Sequence, residues 1–402
     1  MPLSGIRILD LTRIISGPYC TALLADLGAE VLKIEPPGSG DPVREQGVIR
    51  DGISWYFANY NRNKKSVAID LYTDAGKALL HKLIPSCDVI VENYRPGIME
   101  KMGLGPEQLK ALRPDIIHCS INGFGNSGPY RDRPAFDFIA QAMSGFMSLN
   151  GASNDPPLRA GPPISDLIAG LHGALGITAA LLQRAQTGRG DSVSVSLLNS
   201  MVSMLSFHAS NYLASGVVPE RSGNDHGIVA PYGLFRTSDG QVAIAPSNDA
   251  VYHKLLDATG LSHVRQQPEY STNEQRMRNR ESIKQIIESR TQTESSAYWI
   301  KRLNEFGVPC GPVLGLAEVF DDPQVQDQQM AITVNHPGHG DVRMLGFPIK
   351  FTQSPSSCRL PAPDLGADTE NVLASLGLSA SDIENLQHNG VIACPANTPE
   401  ST

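Results

Sequence analysis

The sequence predicts an α/β fold, with a parallel sheet first and a smaller α+β domain after it. Three observations predict it. Over the first 125 of 402 residues, short apolar runs alternate with helix-like segments. Beyond residue 130 the runs lengthen into apolar helices. After residue 229 a hairpin is followed by charge-rich helical segments.

The elements follow in order. A strand is read at 6–11 (Ile-Arg-Ile-Leu-Asp-Leu), a helix at 18–27 closed by Gly28, and a strand at 30–35. The run 66–71 is a third strand, and Thr73 then offers an N-cap for a helix over 76–84. Strands at 88–92 and 115–121 complete the set. Strands this apolar, separated by helices, pair in parallel with both faces covered. Ligands of such sheets bind outside the carboxyl ends of the strands. That directs attention to 11–17, 35–40, 71–73, 92–97 and 122–129. Helices are expected next at 138–149, 167–185 and 197–214, and the Gly/Pro-punctuated stretch 215–228 reads as a linker. Strands 233–236 and 241–245, joined by Thr-Ser-Asp-Gly, form a hairpin. Helices over 249–259, 273–291 and 294–306, a strand-like 342–346 and a helix pair at 370–376 and 380–386 follow, and the polar tail from 395 is expected to fray.

Lys and Arg number 33 against 41 Asp and Glu, a net charge of −8. A net acidic chain has no general attraction for nucleic acid or anionic lipid, so neither partner is expected, although a local basic site for a phosphorylated ligand stays open. The six cysteines lie far apart and read as thiols of a reducing compartment. Met1 to Arg7 lacks the basic-then-apolar pattern of a secretory leader. The most apolar stretch, 167–182, holds His172 and three glycines, and is shorter than the ~18 residues a membrane span needs. A soluble, cytoplasmic protein is expected.

Several motifs carry little chemistry. Gly123, Gly125 and Gly128 spell GxGxxG, but Pro129 and Pro134 follow instead of a helix, and the motif follows the fifth strand rather than the first. No Walker A sequence and no GxSxG elbow occur. His336 and His339 have no further ligands nearby in sequence, so no metal is expected. A basic and polar set stands out at the strand ends: Asn61 to Lys65, Asn93 to Gly97, and Lys101. Phosphates need guanidinium, ammonium and free backbone N–H groups close together, and Tyr94 beside Arg95 offers a surface for an adenine ring. Asp166 precedes an apolar helix with almost no charge. It reads either as an N-cap or as a carboxylate, kept ionised by the helix N-terminus, that attacks an activated carbonyl. The pattern leaves both readings open.

Taken together, these segments resemble the class III CoA-transferases of the formyl-CoA:oxalate and carnitine type, whose relatives include the α-methylacyl-CoA racemases. The matching stretches are Leu3 to Thr12, Gly17-Pro18, Leu27 to Glu35, Gly38 to Asp41, Asn63 to Ser66, Val91 to Gly97, Lys101-Met-Gly103, Gly123 to Gly125, Thr187 to Gly190 and, as the small-domain signature, Phe306 to Val313. The resemblance implies a Rossmann-like large domain built from both chain ends, an inserted small domain, and two subunits interlocked as a homodimer. On this chain that division runs 1–214 for the first part of the large domain, 215–228 for the linker, 229–328 for the small domain and 329–402 for the return.

The resemblance also implies a chemistry. Asp166 matches the family's catalytic aspartate, which forms an anhydride with the donor acyl group and then an aspartyl-CoA thioester. CoA or acyl-CoA is the cosubstrate, with no cofactor bound permanently. The implied CoA contacts are Ile15, Ser16, Ile69, Tyr72, Asn93, Tyr94, Arg95, Lys101, Arg133, Phe136 and Asp137. Three departures are visible. Pro36 and Tyr72 stand where formyl-CoA transferase has an arginine and a lysine, and Arg221 to Gly227 replaces its glycine-run loop over oxalate. Phe136 stands where the racemases carry a histidine base, and phenylalanine moves no proton. The expectation is a transferase using succinyl-CoA and a small dicarboxylic acid, with Arg159 or His226 holding the second carboxylate. A racemase-like enzyme is the alternative, and a CoA- or nucleotide-binding sensor is the non-enzymatic reading.

Overall fold

The computed structural model describes residues 1–395. The chain forms two compact units, one of 1–144, 161–204 and 323–402, the other of 145–160 and 205–322; the expected frayed tail falls, but for residue 395, outside the described residues.

In the first unit the elements run β1 (Arg7–Asp10), α1 (Ser16–Asp26), β2 (Glu30–Glu35), α2 (Trp55–Asn61), β3 (Lys64–Ile69), α3 (Asp74–Leu83), β4 (Val89–Glu92), β5 (Ile117–Asn122), α4 (Asp137–Met143), α5 (Ile164–Thr187), β6 (Ser192–Ser196) and α6 (Leu197–Ser203). The second unit contributes α7 (Ser206–Ser215), β7 (Gly233–Arg236), β8 (Gln241–Ile244), α8 (Asp249–Thr259), α9 (Arg280–Thr291), α10 (Ser296–Glu305) and β9 (Cys310–Pro312). The chain then adds β10 (Ala331–His336), β11 (Gly340–Leu345), α11 (Thr369–Ser375), α12 (Ala380–His388) and β12 (Ile392–Ala393) to the first unit.

Seven strands form the main sheet in the order β12-β3-β2-β1-β4-β5-β6. All pair in parallel except β12, which runs antiparallel to β3. The order reverses direction at β1, the doubly wound arrangement whose crevice opens between the ends of β1 and β4. Period-2 alternation sends Leu9, Leu32 and Ile90 to one face, under α3, α11 and α12. Ile8, Val31 and Val89 go to the other, under α1 and α5. The second unit wraps α8, α9 and α10 around an antiparallel sheet ordered β9-β8-β7, with Phe235, Leu255, Ile287 and Trp299 in its core.

Several expectations need correction. The helix at 138–149 breaks after Met143, where Gly145 turns left-handed at φ 86° before a short helix Phe146–Leu149. The helix at 197–214 breaks at Ser206, whose φ is 52°. The helix at 273–291 is interrupted between Arg278 and Arg280. The stretch 215–228 belongs to the second unit, not to a linker, because the Arg221 guanidinium donates to the carbonyls of Ala152 and Ser153. The strand β6 went unread because its Ser-Val-Ser-Val-Ser alternation lies on a sheet edge with little apolar content. Finally, α5 has 24 residues, long and apolar enough to cross a membrane by length and composition. One of its faces, including Ile168, Ala169, Gly173 and Ile177, packs into the core, and glycine makes that approach close. A Cβ at Gly170 would lie 2.7 Å from the Ser16 carbonyl oxygen, and one at Gly173 would lie 2.8 Å from Ile121.

Candidate active site

Asp166 is the third residue of α5. Pro163 occupies the N-cap, and no side chain caps the helix from that position. Asp166 is therefore not the N-cap that the sequence left open. The start of the helix is instead held from α4. The Oδ1 of buried Asp137 accepts from the Ser165 backbone N–H at 2.9 Å and from its hydroxyl at 2.8 Å, while Oδ2 accepts from Gln141 at 2.7 Å. Asp137 thus spends both oxygens on the scaffold, supports the start of α5 and lines neither cleft described below.

The electrostatics also differ from expectation. Burial, and then the charge of Asp137, push the Asp166 carboxyl up to about 7. The helix N-terminus was expected to keep it ionised, but an exposed-type dipole effect is worth only about 0.3–1 kcal/mol, and desolvation outweighs it. Tyr56 and Tyr60 of α2 feel the same carboxylate. Burial first, then a neighbouring tyrosine, then Asp166 raise both phenols, so they remain protonated donors at neutral pH.

Asp166 opens into a cleft of about 170 Å³ at the crevice of the sheet. Ile15, Ser16, Asn93, Tyr94, Arg95, Arg133 and Phe136 line it, joined by Arg13 and Arg131, which the sequence does not single out. The loop bearing Gly123, Gly125 and Gly128 serves this cleft. Gly123 sits on its wall, where a Cβ would lie 2.4 Å from that of Ala135, so only glycine lets 133–136 fold back. Phe136 is 73% exposed and has no titratable atom to serve as a racemase base.

A second cleft, of about 720 Å³, shares Arg13, Tyr94 and Arg95 with the first and adds Tyr72, Lys77 and Lys101. Pro36 and Tyr72 both line it, and Lys77 supplies a cation there. Ile69 lines neither cleft. It is 1% exposed because its place in β3 turns its side chain into the core under α3. Asn93 spends its amide on structure: Oδ1 accepts from the Arg13 N–H at 3.0 Å, and Nδ2 donates to the Arg13 carbonyl at 2.7 Å. Buried Glu92, pushed up to about 7 by burial, accepts the Tyr94 N–H at 2.8 Å and fixes the start of that loop.

Arg159 and His226 lie in the second unit. The His226 ring packs between Phe207 and Tyr232, and burial, followed by His208 and the charge of Arg280, lowers its pKa. Among the described residues no group of three or more His, Cys, Asp or Glu is placed to hold a metal. His336 instead accepts from the Ala362 N–H, and His339 pairs with Asp364.

A family model described as CoA-transferase family III matches residues 3–369. The chain belongs to CoA-transferase family III. It is a transferase of the class that moves CoA between acids, and homologues of the acetyl-CoA:oxalate type are among its relatives. It is 38% identical over 393 residues to a mouse succinyl-CoA:glutarate CoA-transferase, covering 97% of this chain and 90% of that protein. It is 35% identical to a succinate–glutarate CoA-transferase of Agrobacterium fabrum, covering 93% and 96%. The crystal structure of a CAIB/BAIF family protein from Brucella suis superposes with a TM-score of 0.82 at 36% identity, covering 94% of this chain and 99% of that one. Family membership makes acyl-CoA the cosubstrate.

Proposed function

We propose that this enzyme moves CoA from succinyl-CoA to a second small dicarboxylic acid, with glutarate the first candidate, through covalent intermediates on Asp166. The observation that carries the reading is a half-buried carboxylate at a helix start, in a cleft whose wall continues into a larger one bearing Arg95 and Lys101. The names of the mouse and Agrobacterium relatives support the pair of acids.

The steps balance without a net proton. An Asp166 oxygen attacks the thioester carbonyl carbon, a C–O bond forms, the C–S bond breaks, and a mixed anhydride and CoA thiolate result. The thiolate attacks the aspartyl carbonyl, expels the donor carboxylate and leaves an aspartyl-CoA thioester. The acceptor carboxylate attacks that carbonyl and releases thiolate, forming a second anhydride. Attack of the thiolate on the acceptor's acyl carbon then frees Asp166. Covalent catalysis of this kind divides one hard exchange into easier ones. Arg95 and Lys101 hold the phosphates of the cosubstrate in this reading.

The enzyme works as a homodimer in this account. Leu171, Leu175 and Leu182 on the outward side of α5 are 47%, 66% and 64% exposed, an apolar stripe of the kind that marks a subunit contact. Six free cysteines, three of them buried, support a reducing compartment such as the cytoplasm.

The test is the transfer assay. With succinyl-CoA and glutarate, the wild type forms glutaryl-CoA, and Asp166→Ala loses at least roughly a thousandfold in kcat, as loss of a covalent nucleophile does. A folded Asp166→Ala variant working at the wild-type rate overturns the reading.

A further inference from the structure

Three successive backbone N–H groups after β1 each meet a side chain from a different segment, namely β1 itself, the loop after β4 and the loop after β2. Thr12 N–H donates to Asp10 at 2.9 Å, Arg13 N–H to Asn93 at 3.0 Å, and Ile14 N–H to Asp41 at 3.2 Å. Ile14 has φ 72°. A β-branched residue there is a true outlier, and such backbone persists only where its surroundings over-determine it. The surroundings are buried charge. Asp41 is 2% exposed, accepts from the Lys33 ammonium at 2.8 Å and has its own N–H held by Glu35 at 2.9 Å. Lys33 also donates to the Thr12 carbonyl at 2.9 Å, so one ammonium ties both ends of the turn. The Ile14 side chain packs on the cluster of Val43, Ile53 and Phe57.

What this device presents is the wall shared by the two clefts. Arg13 lines both, Ile15 and Ser16 continue the narrow one toward Asp166, and the Arg13 guanidinium makes no hydrogen bond or ion pair among the described residues.

We propose that Asp41, anchored by buried Lys33, is a positioning residue for acyl-CoA. By holding Ile14 left-handed it sets Arg13 and the Ile15–Ser16 wall where an elongated anionic ligand passes from one cleft to the other. The identity of that ligand rests on the function proposed above. Asp41→Asn breaks the device whichever way the amide turns, since its NH₂ must face either the Lys33 ammonium or the Ile14 and Val43 N–H groups.

Two readouts separate this claim from the transferase reading. The first needs no substrate. In the full-length protein the Ile14 amide exchanges hydrogen slowly, and in Asp41→Asn it exchanges at least ~10-fold faster while the Leu9 amide of β1 is unchanged. The second is kinetic. Asp41→Asn raises KM for succinyl-CoA about 10-fold with kcat within about threefold, which general loss of fold would not do. If imposed backbone strain is the cause, Asp41→Asn combined with Ile14→Gly has a KM within about threefold of Ile14→Gly alone, because glycine adopts positive φ freely. Should Asp41→Asn fail to fold, Lys33→Gln keeps a donor without the charge and must raise KM in the same direction by at least about threefold. Unchanged Ile14 exchange and KM, or a double-variant KM equal to the product of the two single effects, overturns the proposal. A wild type that moves no CoA, yet shows the Ile14 response, overturns the transferase reading and leaves the positioning device standing.

Discussion

In the proposed mechanism two demands on Asp166 compete. Burial sharpens its attack on a carbonyl by removing water, yet the same burial and the neighbouring Asp137 charge raise its proton affinity to about 7. Attack requires the ionised form, so kcat/KM for acyl-CoA climbs about tenfold per pH unit below 7 and levels off above it. Replacing Asp137 with Asn keeps an acceptor for Ser165 and removes a charge that raises Asp166, so the acid limb moves to lower pH. A pH-rate profile of both forms checks this, and a limb that stays in place contradicts it. The identity of Asp166 as a candidate was legible from its place before an uncharged helix. Whether it caps the helix was not, because that depends on whether the helix begins at residue 167 or at Ile164. The sequence places Lys64 in a basic set suited to a phosphate, Lys33 inside a strand, and Asp41 only at the end of a stretch that carries the resemblance. Nothing local in a sequence says that cross-strand neighbours will bury them.

At the scale of elements, the main strands were legible because buried parallel strands are continuous apolar runs, and Leu9, Leu32 and Ile90 meet in register as that reading requires. The breaks were hidden. A serine at φ 52° carries no composition signal, and β6, which pairs in parallel with β5, brings only Val193 and Val195 to the core. The contact of α1 with α5 makes a sharper test of packing. Alanine at 170 gains about 1 kcal/mol of helix propensity, but its Cβ would sit 2.7 Å from the Ser16 backbone oxygen, which cannot swing aside. Overpacking of this kind costs about 1–3 kcal/mol, so Gly170→Ala is destabilised by roughly 1 kcal/mol net. Because Ser16 lines the cleft that holds Asp166, the proposed function predicts that its KM rises as well. Urea unfolding and steady-state kinetics measure the two effects, and a more stable variant with normal KM would refute the packing argument.

For the whole molecule, the division into units was the least legible feature. Residues 145–160 join 205–322, and no local signal announces that two distant segments belong to one unit. The apolar outer stripe of α5 is a whole-molecule feature too. Sedimentation at micromolar concentration is expected to give a dimer, shifted to monomer by Leu175→Asp with Leu182→Asp, whereas a wild-type monomer would contradict the homodimer. The proposed mechanism asks that the two clefts, the supported helix start and the clamped turn serve one reacting carboxylate. The most direct measurement is mass spectrometry of the peptide bearing residue 166 after incubation with succinyl-CoA and quenching with hydroxylamine or borohydride. The account predicts modification at Asp166 that depends on acyl-CoA and is absent in Asp166→Ala. An unmodified Asp166 in an enzyme that is turning over would contradict it.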